Sequence, residues 1–158
     1  MIQHEQNRER ETGHSLIIEM SVRLLIPFTQ LFGLYVIAHG HYSPGGGFQG
    51  GVILGASLIM MALAFDLKTT TRYLSEGANL ILANTGALIF VGIGTLTTGF
   101  GGMFLDYGAL ARIYPMAEAD WRSLGILLVE VGVGLAVMTI MASLFWDISS
   151  DGRLDEGL

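Results

Sequence analysis

Cysteine is absent from the chain, which excludes disulfides, thiolate metal sites and cysteine nucleophiles together. Charge is scarce as well: Asp, Glu, Lys and Arg make up 14% of 158 residues, too little to clothe a soluble domain of this length. The formal net charge is -6, and half of the acidic excess lies in the two tails. That balance argues against a nucleic-acid surface and against a polybasic lipid anchor. No nucleophile and base pair, cofactor fingerprint or metal-ligand set stands out, so the composition points away from an enzyme and calls for no cofactor. No internal repeat suggests the inverted halves of a self-sufficient transporter.

What fills the chain instead is apolar. Hydrophobic residues account for 51%, glycines number 22, and the mean hydropathy is +0.55. This is the composition of a polytopic membrane protein, and at about 20 residues per span it has room for four helices and no large domain outside the bilayer. The expected architecture is an all-α membrane protein: a bundle of four transmembrane helices with a Gly-rich segment between the first and second.

Residues 1–15 are polar and carry Glu5, Arg8, Glu9, Arg10 and Glu11. They read as a cytoplasmic tail or short surface helix, without the basic start, short apolar run and small-residue site of a cleaved signal peptide. The transmembrane domain then covers 16–147, with spans at about 16–38, 48–66, 77–100 and 122–146, and residues 148–158 form an acidic tail. In the first span, Glu19, Arg23 and Gln30 share one stripe of the helix, and Glu19 and Arg23 have the i, i+4 order that favours an ion pair. Pro27 is expected to kink this helix and free a carbonyl one turn earlier. In the second, Gly51 and Gly55 make a GxxxG pair that lets another backbone approach.

In the third span, Gly77, Asn84, Thr95 and Thr98 form a polar stripe, with Asn84 placed to hydrogen-bond a neighbouring helix. The connection that follows contains Tyr107 and Tyr114, which suit headgroup level, and Pro115 as a helix stop. Trp121 and Trp146 flank the fourth span as interface anchors. Inside that span lies Glu130. An ionised carboxylate at membrane depth costs about 2.5 to 3.5 kcal/mol on the insertion scale, so it must be protonated, paired or hydrated. It is the foremost candidate for proton or cation chemistry, and a structural pair with a neighbouring subunit stays open beside that reading.

Lys and Arg set the orientation. Both termini on the cytoplasmic side place Arg8, Arg10, Arg23, Lys68, Arg72 and Arg153 there, against Arg112 and Arg122 outside. The segment from His39 to Gly51, rich in glycine and containing Pro44, then lies at the outer face. Its bare backbone can turn carbonyls or amides toward an ion or admit a neighbouring helix. His39 and His41 lack a nearby carboxylate or cysteine and make a poor metal site. The Lys and hydroxyl residue of a phosphate-binding loop are missing too.

The run from Pro27 to Gly51 resembles the signature of the MnhB/MrpB subunit family of multisubunit Na+/H+ antiporters. The family block Gly-His-x-x-Pro-Gly-Gly-Gly-Phe-x-Gly-Gly is matched by Gly40, His41, Pro44, Gly45, Gly46, Gly47, Phe48, Gly50 and Gly51. The resemblance implies a small subunit of a large assembly in a bacterial or archaeal plasma membrane, exchanging cytoplasmic Na+ for external H+. Its implied partners are large complex-I-like subunits, other small subunits and membrane lipid. In that setting the glycine block packs at a boundary between subunits, while Glu130, Glu19, Arg23 and Asn84 line or support the ion path. Similar subunits occur in membrane-bound hydrogenase modules, and a structural scaffold or an independent channel are further readings.

Overall fold

The computed structural model describes the backbone of residues 2–40, 42, 45–65, 67–113 and 117–150, and side chains from residue 16 onward. His41 and Pro44 of the glycine block, Tyr114, Pro115 and residues 151–158 lie outside the described residues.

Five α-helices and one 3₁₀ turn make up the described chain. They are α1 (Ile2–Ala38), α2 (Gly47–Phe65), α3 (Leu67–Tyr73), α4 (Glu76–Gly99), the 3₁₀ turn (Tyr107–Arg112) and α5 (Glu118–Ser149). Four of them, α1 from Leu16, α2, α4 and α5, are long and apolar enough to cross a membrane, as the sequence predicts.

The boundaries differ from expectation at two places. The polar residues read as a cytoplasmic tail or short surface helix are helical and continue α1 without a break from Ile2, because Gln, Glu and Arg are good helix formers and extend a nucleated helix at little cost. The expected loop after the second span contains the short helix α3, and α5 runs from 118 to 149 rather than 122 to 146. The helix α1 also passes through Pro27 unbroken.

The helices stack in the order α1, α2, α5, α4. α2 is the most enclosed, with 44% of its span buried against 17% for α1 and α4. It runs parallel to α5: Gly47 abuts Glu130, Gly51 abuts Gly134 and Val137, and Gly55 abuts Met138 and Met141. The flanking helices close in the same manner, α1 on α2 through Gly33 and Gly50, and α4 on α5 through Gly86 and Gly132. Small residues are what allow backbones this near each other where lipid removes most of the hydrophobic drive.

At the end that carries the chain termini, Leu58, Ala62, Leu67, Ala142 and Trp146 form a buried apolar cluster, with Leu74, Met138 and Phe145 against it. Trp146 is 2% exposed and belongs to this core, not to a membrane interface. The reason is α3, whose Leu67 folds back over the end of the bundle and seals the indole from outside. Across the same end, the buried Asn79 donates to the Thr139 carbonyl at 3.0 Å and to Ser143 Oγ at 2.7 Å, tying α4 to α5.

Candidate functional site

At the end of α1 and the start of α2, Gly40, Gly46 and Gly47 close against Glu130, which lies about 18 Å along α5 from its first residue and about 9 Å past Leu124, where the apolar run begins. These three glycines therefore lie part-way along α5 and not level with its first residue. α1 ends through hydrogen bonds from the His39 amide to the Tyr35 carbonyl at 3.0 Å and from the Gly40 amide to the Ile37 carbonyl at 3.3 Å. α2 starts from Gly46, whose carbonyl accepts the Gly50 amide at 2.9 Å.

Two glycines face one carboxylate, and a third abuts the backbone of the same residue. A Cβ on Gly40 would fall on the carboxylate of Glu130, and one on Gly46 would sit 2.6 Å from its Oε1. A Cβ on Gly47 would lie 2.7 Å from the Glu130 Cα, inside the backbone of α5. The side chain of Glu130 thus occupies space that exists because Gly40 and Gly46 carry no side chain. Its Oε2 is buried. Phe48, next in sequence after Gly47, points away and is 63% exposed.

The connection between α4 and α5 folds back over this region. Thr97, fully buried, donates to the Gly94 carbonyl at 2.8 Å and accepts the Leu105 amide at 3.0 Å. Leu105 is held at φ 62°, a left-handed conformation that costs a non-glycine residue on the order of 1 kcal/mol or more. Phe104 covers Gly94 and meets Phe90 edge to face at 6.1 Å, and Arg112 donates to the Phe100 carbonyl. The connection is thereby fixed, and it carries Tyr107 onto Gly125 of α5, five residues before Glu130.

Tyr107, expected at headgroup level, packs against Gly125, one residue past Leu124, where the apolar run of α5 begins. Burial, and then the negative charge of Glu130, push its phenol above the ordinary 10.0. The only sequence sign of this was Gly125, a gap on α5 with room for a ring. Because the folded-state value is raised, the fold favours the neutral phenol. The associated stability is complete below about pH 10 and is lost as pH climbs through the raised value. Removing the charge in Glu130→Gln should move the Tyr107 titration back toward ordinary without reaching it, since burial remains. Tyrosinate absorbance, with Tyr107→Phe identifying the late component, measures this; a titration unmoved by Glu130→Gln would separate the two residues.

The other candidates lie elsewhere. Glu19 and Arg23 do pair, at 3.1 Å, with side chains 39% and 73% exposed. They sit about 24 to 30 Å along α1 from the glycine segment, and Arg23 also stacks over Phe65 at 5.5 Å from the ring centre. Asn84, Thr95 and Thr98 are exposed on the outer side of α4, and nothing approaches Gly77 within 4 Å. The interhelical amide contact is made by Asn79. Among the described residues no three His, Asp or Glu side chains gather as a metal site.

The family model for a domain related to the MnhB subunit of Na+/H+ antiporters matches residues 17–143. The chain is 34% identical over 139 residues to the B subunit of the Na+/H+ antiporter of Bacillus subtilis, covering 82% of this chain and 94% of the relative. It is 33% identical over 135 residues to the antiporter subunit mnhB2 of Staphylococcus epidermidis (81% and 93%), and 30% identical over 137 residues to that of Staphylococcus aureus (83% and 94%).

Proposed function

The chain belongs to the family of the MnhB subunit of Na+/H+ antiporters, and on that premise we propose that it serves as one membrane subunit of a multisubunit Na+/H+ antiporter, with Glu130 as its ion-exchanging group. The observation that carries this reading is the placement of the Glu130 carboxylate against Gly40 and Gly46 part-way along a membrane span.

The physics links two ions at such a group. A bare carboxylate in a low-dielectric site is expensive, whereas a carboxylate holding a proton or a sodium ion is not. A group that is cheap only when occupied releases one ion as it takes the other. Gly40 and Gly46 lie against the carboxylate, and its Oε2 is buried. The neutral Tyr107 phenol lies on the approach from the connection side. With both termini cytoplasmic, as the Lys and Arg distribution favours, that side faces outward and is where protons would enter.

A single such carboxylate does not make a complete exchanger, and the outward faces of α1 and α4 are strongly apolar, with Met20, Leu24, Phe28, Leu80, Ile81 and Leu88 all exposed. Lipid and further membrane subunits are the partners that these faces suit. Extraction of the C-terminally tagged chain from native membranes tests the assembly. Co-purification of large antiporter-type subunits is the expected outcome; hydrogenase subunits would assign the chain to a respiratory module, and a stable oligomer of this chain alone would indicate a channel.

A further inference from the structure

A groove of about 420 Å³ lies between α1, α2 and α3, at the end of the bundle that carries the chain termini. Arg23 and Ile26 of α1, Met61 and Phe65 of α2, and Thr69 and Tyr73 of α3 line it. Its polarity changes along the bundle axis. Ile26 is buried and lies three residues past Arg23 toward the glycine segment, and Met61 lies one turn before the end of α2, so the part nearer the bundle middle is apolar. The Arg23 guanidinium stands over the Phe65 ring, level with the last residue of α2. The hydroxyls of Thr69 and Tyr73 come from α3, beyond that level.

Every polar side chain among the described lining residues can donate a hydrogen bond, and none is a carboxylate. Glu19 accepts from Arg23 at 3.1 Å, but the guanidinium is 73% exposed and keeps further N–H donors. The helical period divides α3 into stripes: Leu67 and Thr70 are buried, Thr69 and Tyr73 line the groove, and Lys68 and Arg72 are exposed on the adjoining side. An occupant with a negative, hydrogen-bond-accepting head and an apolar body fits this order of groups. A soluble anion would leave the apolar part uncovered, and an uncharged lipid would leave the cations unmatched. Basic pockets between membrane helices take anionic lipid headgroups in this way. We propose that the groove binds one acidic phospholipid, with its phosphate against Arg23, Thr69 and Tyr73, its headgroup attracted by Lys68 and Arg72, and an acyl chain over Ile26 and Met61.

Native mass spectrometry of the full-length chain, released from a neutral detergent with added phosphatidylglycerol or phosphatidylcholine, counts the lipids that stay bound. The expected result is one saturable phosphatidylglycerol adduct, with phosphatidylcholine about tenfold weaker, the scale of one to two basic contacts at a lipid surface. Arg23→Gln together with Thr69→Val should bring the two lipids to the same midpoint, while Arg23→Lys, which keeps the charge, should keep most of the preference. Neither Arg23 nor Thr69 is buried, so the fold is retained, and the helical circular dichroism signal checks it. Equal retention of the two lipids by the parent chain, phosphatidylglycerol adducts that accumulate without saturation, or a midpoint unchanged by the paired substitution would overturn the proposal. Glycerol phosphate offers the head without the chains; retention equal to that of the lipid would make the groove a site for soluble phosphate and overturn it as well. No exchange assay enters the measurement, so its failure would leave the role of Glu130 untouched, and loss of that role would leave this site untouched.

Discussion

Gly47→Ala is expected to destabilise the chain by about 3 kcal/mol, enough to remove much of it from the membrane as folded protein. The added Cβ would lie 2.7 Å from the Cα and carbonyl carbon of Glu130, both backbone atoms, so no rotamer change relieves the overlap. Either α2 moves off α5 or the start of α2 unwinds, and both expose the contacts that follow at Gly51 and Gly55. Gly77→Ala is the control: nothing lies within 4 Å of its Cβ, and alanine in an open helical position should be neutral or gain about 0.5 to 1 kcal/mol. Denaturant unfolding of the two purified variants gives the comparison. Equal stabilities would mean that α2 and α5 are not packed backbone to backbone.

Gly40→Ala should behave differently. Its Cβ meets the Glu130 carboxylate, which ends a flexible side chain and can swing aside. Stability should change little, by less than about 1.5 kcal/mol, while the carboxylate is displaced from its place. A variant that assembles well and exchanges poorly would therefore separate the packing role of the glycine segment from its role in placing Glu130.

The four spans were legible because an apolar run of about 20 residues has few alternatives to crossing a membrane. Faces within each span were not. α4 is apolar nearly all round, so position along the helix pointed to Asn84, whereas the contact with α5 is made by Asn79, one turn and a little more away on the opposite side. Trp146 looked like an interface anchor because it closes an apolar run. What buries it is α3, a short helix with no strong apolar period of its own. The contact of Tyr107 with Gly125 was not legible either: the fold of the connection depends on Thr97, Leu105 and Arg112 acting on backbone groups, and such bonds leave no pattern in sequence.

The glycine block and Glu130 were each visible as unusual features, but their contact was not. They lie far apart in the chain, and they meet because α2 and α5 run parallel in one register, Gly47 beside Glu130 and Gly51 beside Gly134. Nothing in either helix alone specifies that register. Together the two features explain each other, since a carboxylate inside a membrane needs an enclosed place and bare backbone provides one.

The decisive substitution is Glu130→Gln. Glutamine keeps the size and packing of the side chain, so the complex should assemble at the level of the parent, as judged by co-purification. It binds neither a proton nor a sodium ion in the way a carboxylate does, so Na+/H+ exchange in everted vesicles should fall by about 100-fold, the scale on which positioned proton-transfer groups act. Glu130→Asp, which retains the carboxylate but withdraws it by one methylene from Gly40 and Gly46, should fall between the two. Full exchange by an assembled Glu130→Gln complex would contradict an ion-exchanging role and leave Glu130 as a packing residue.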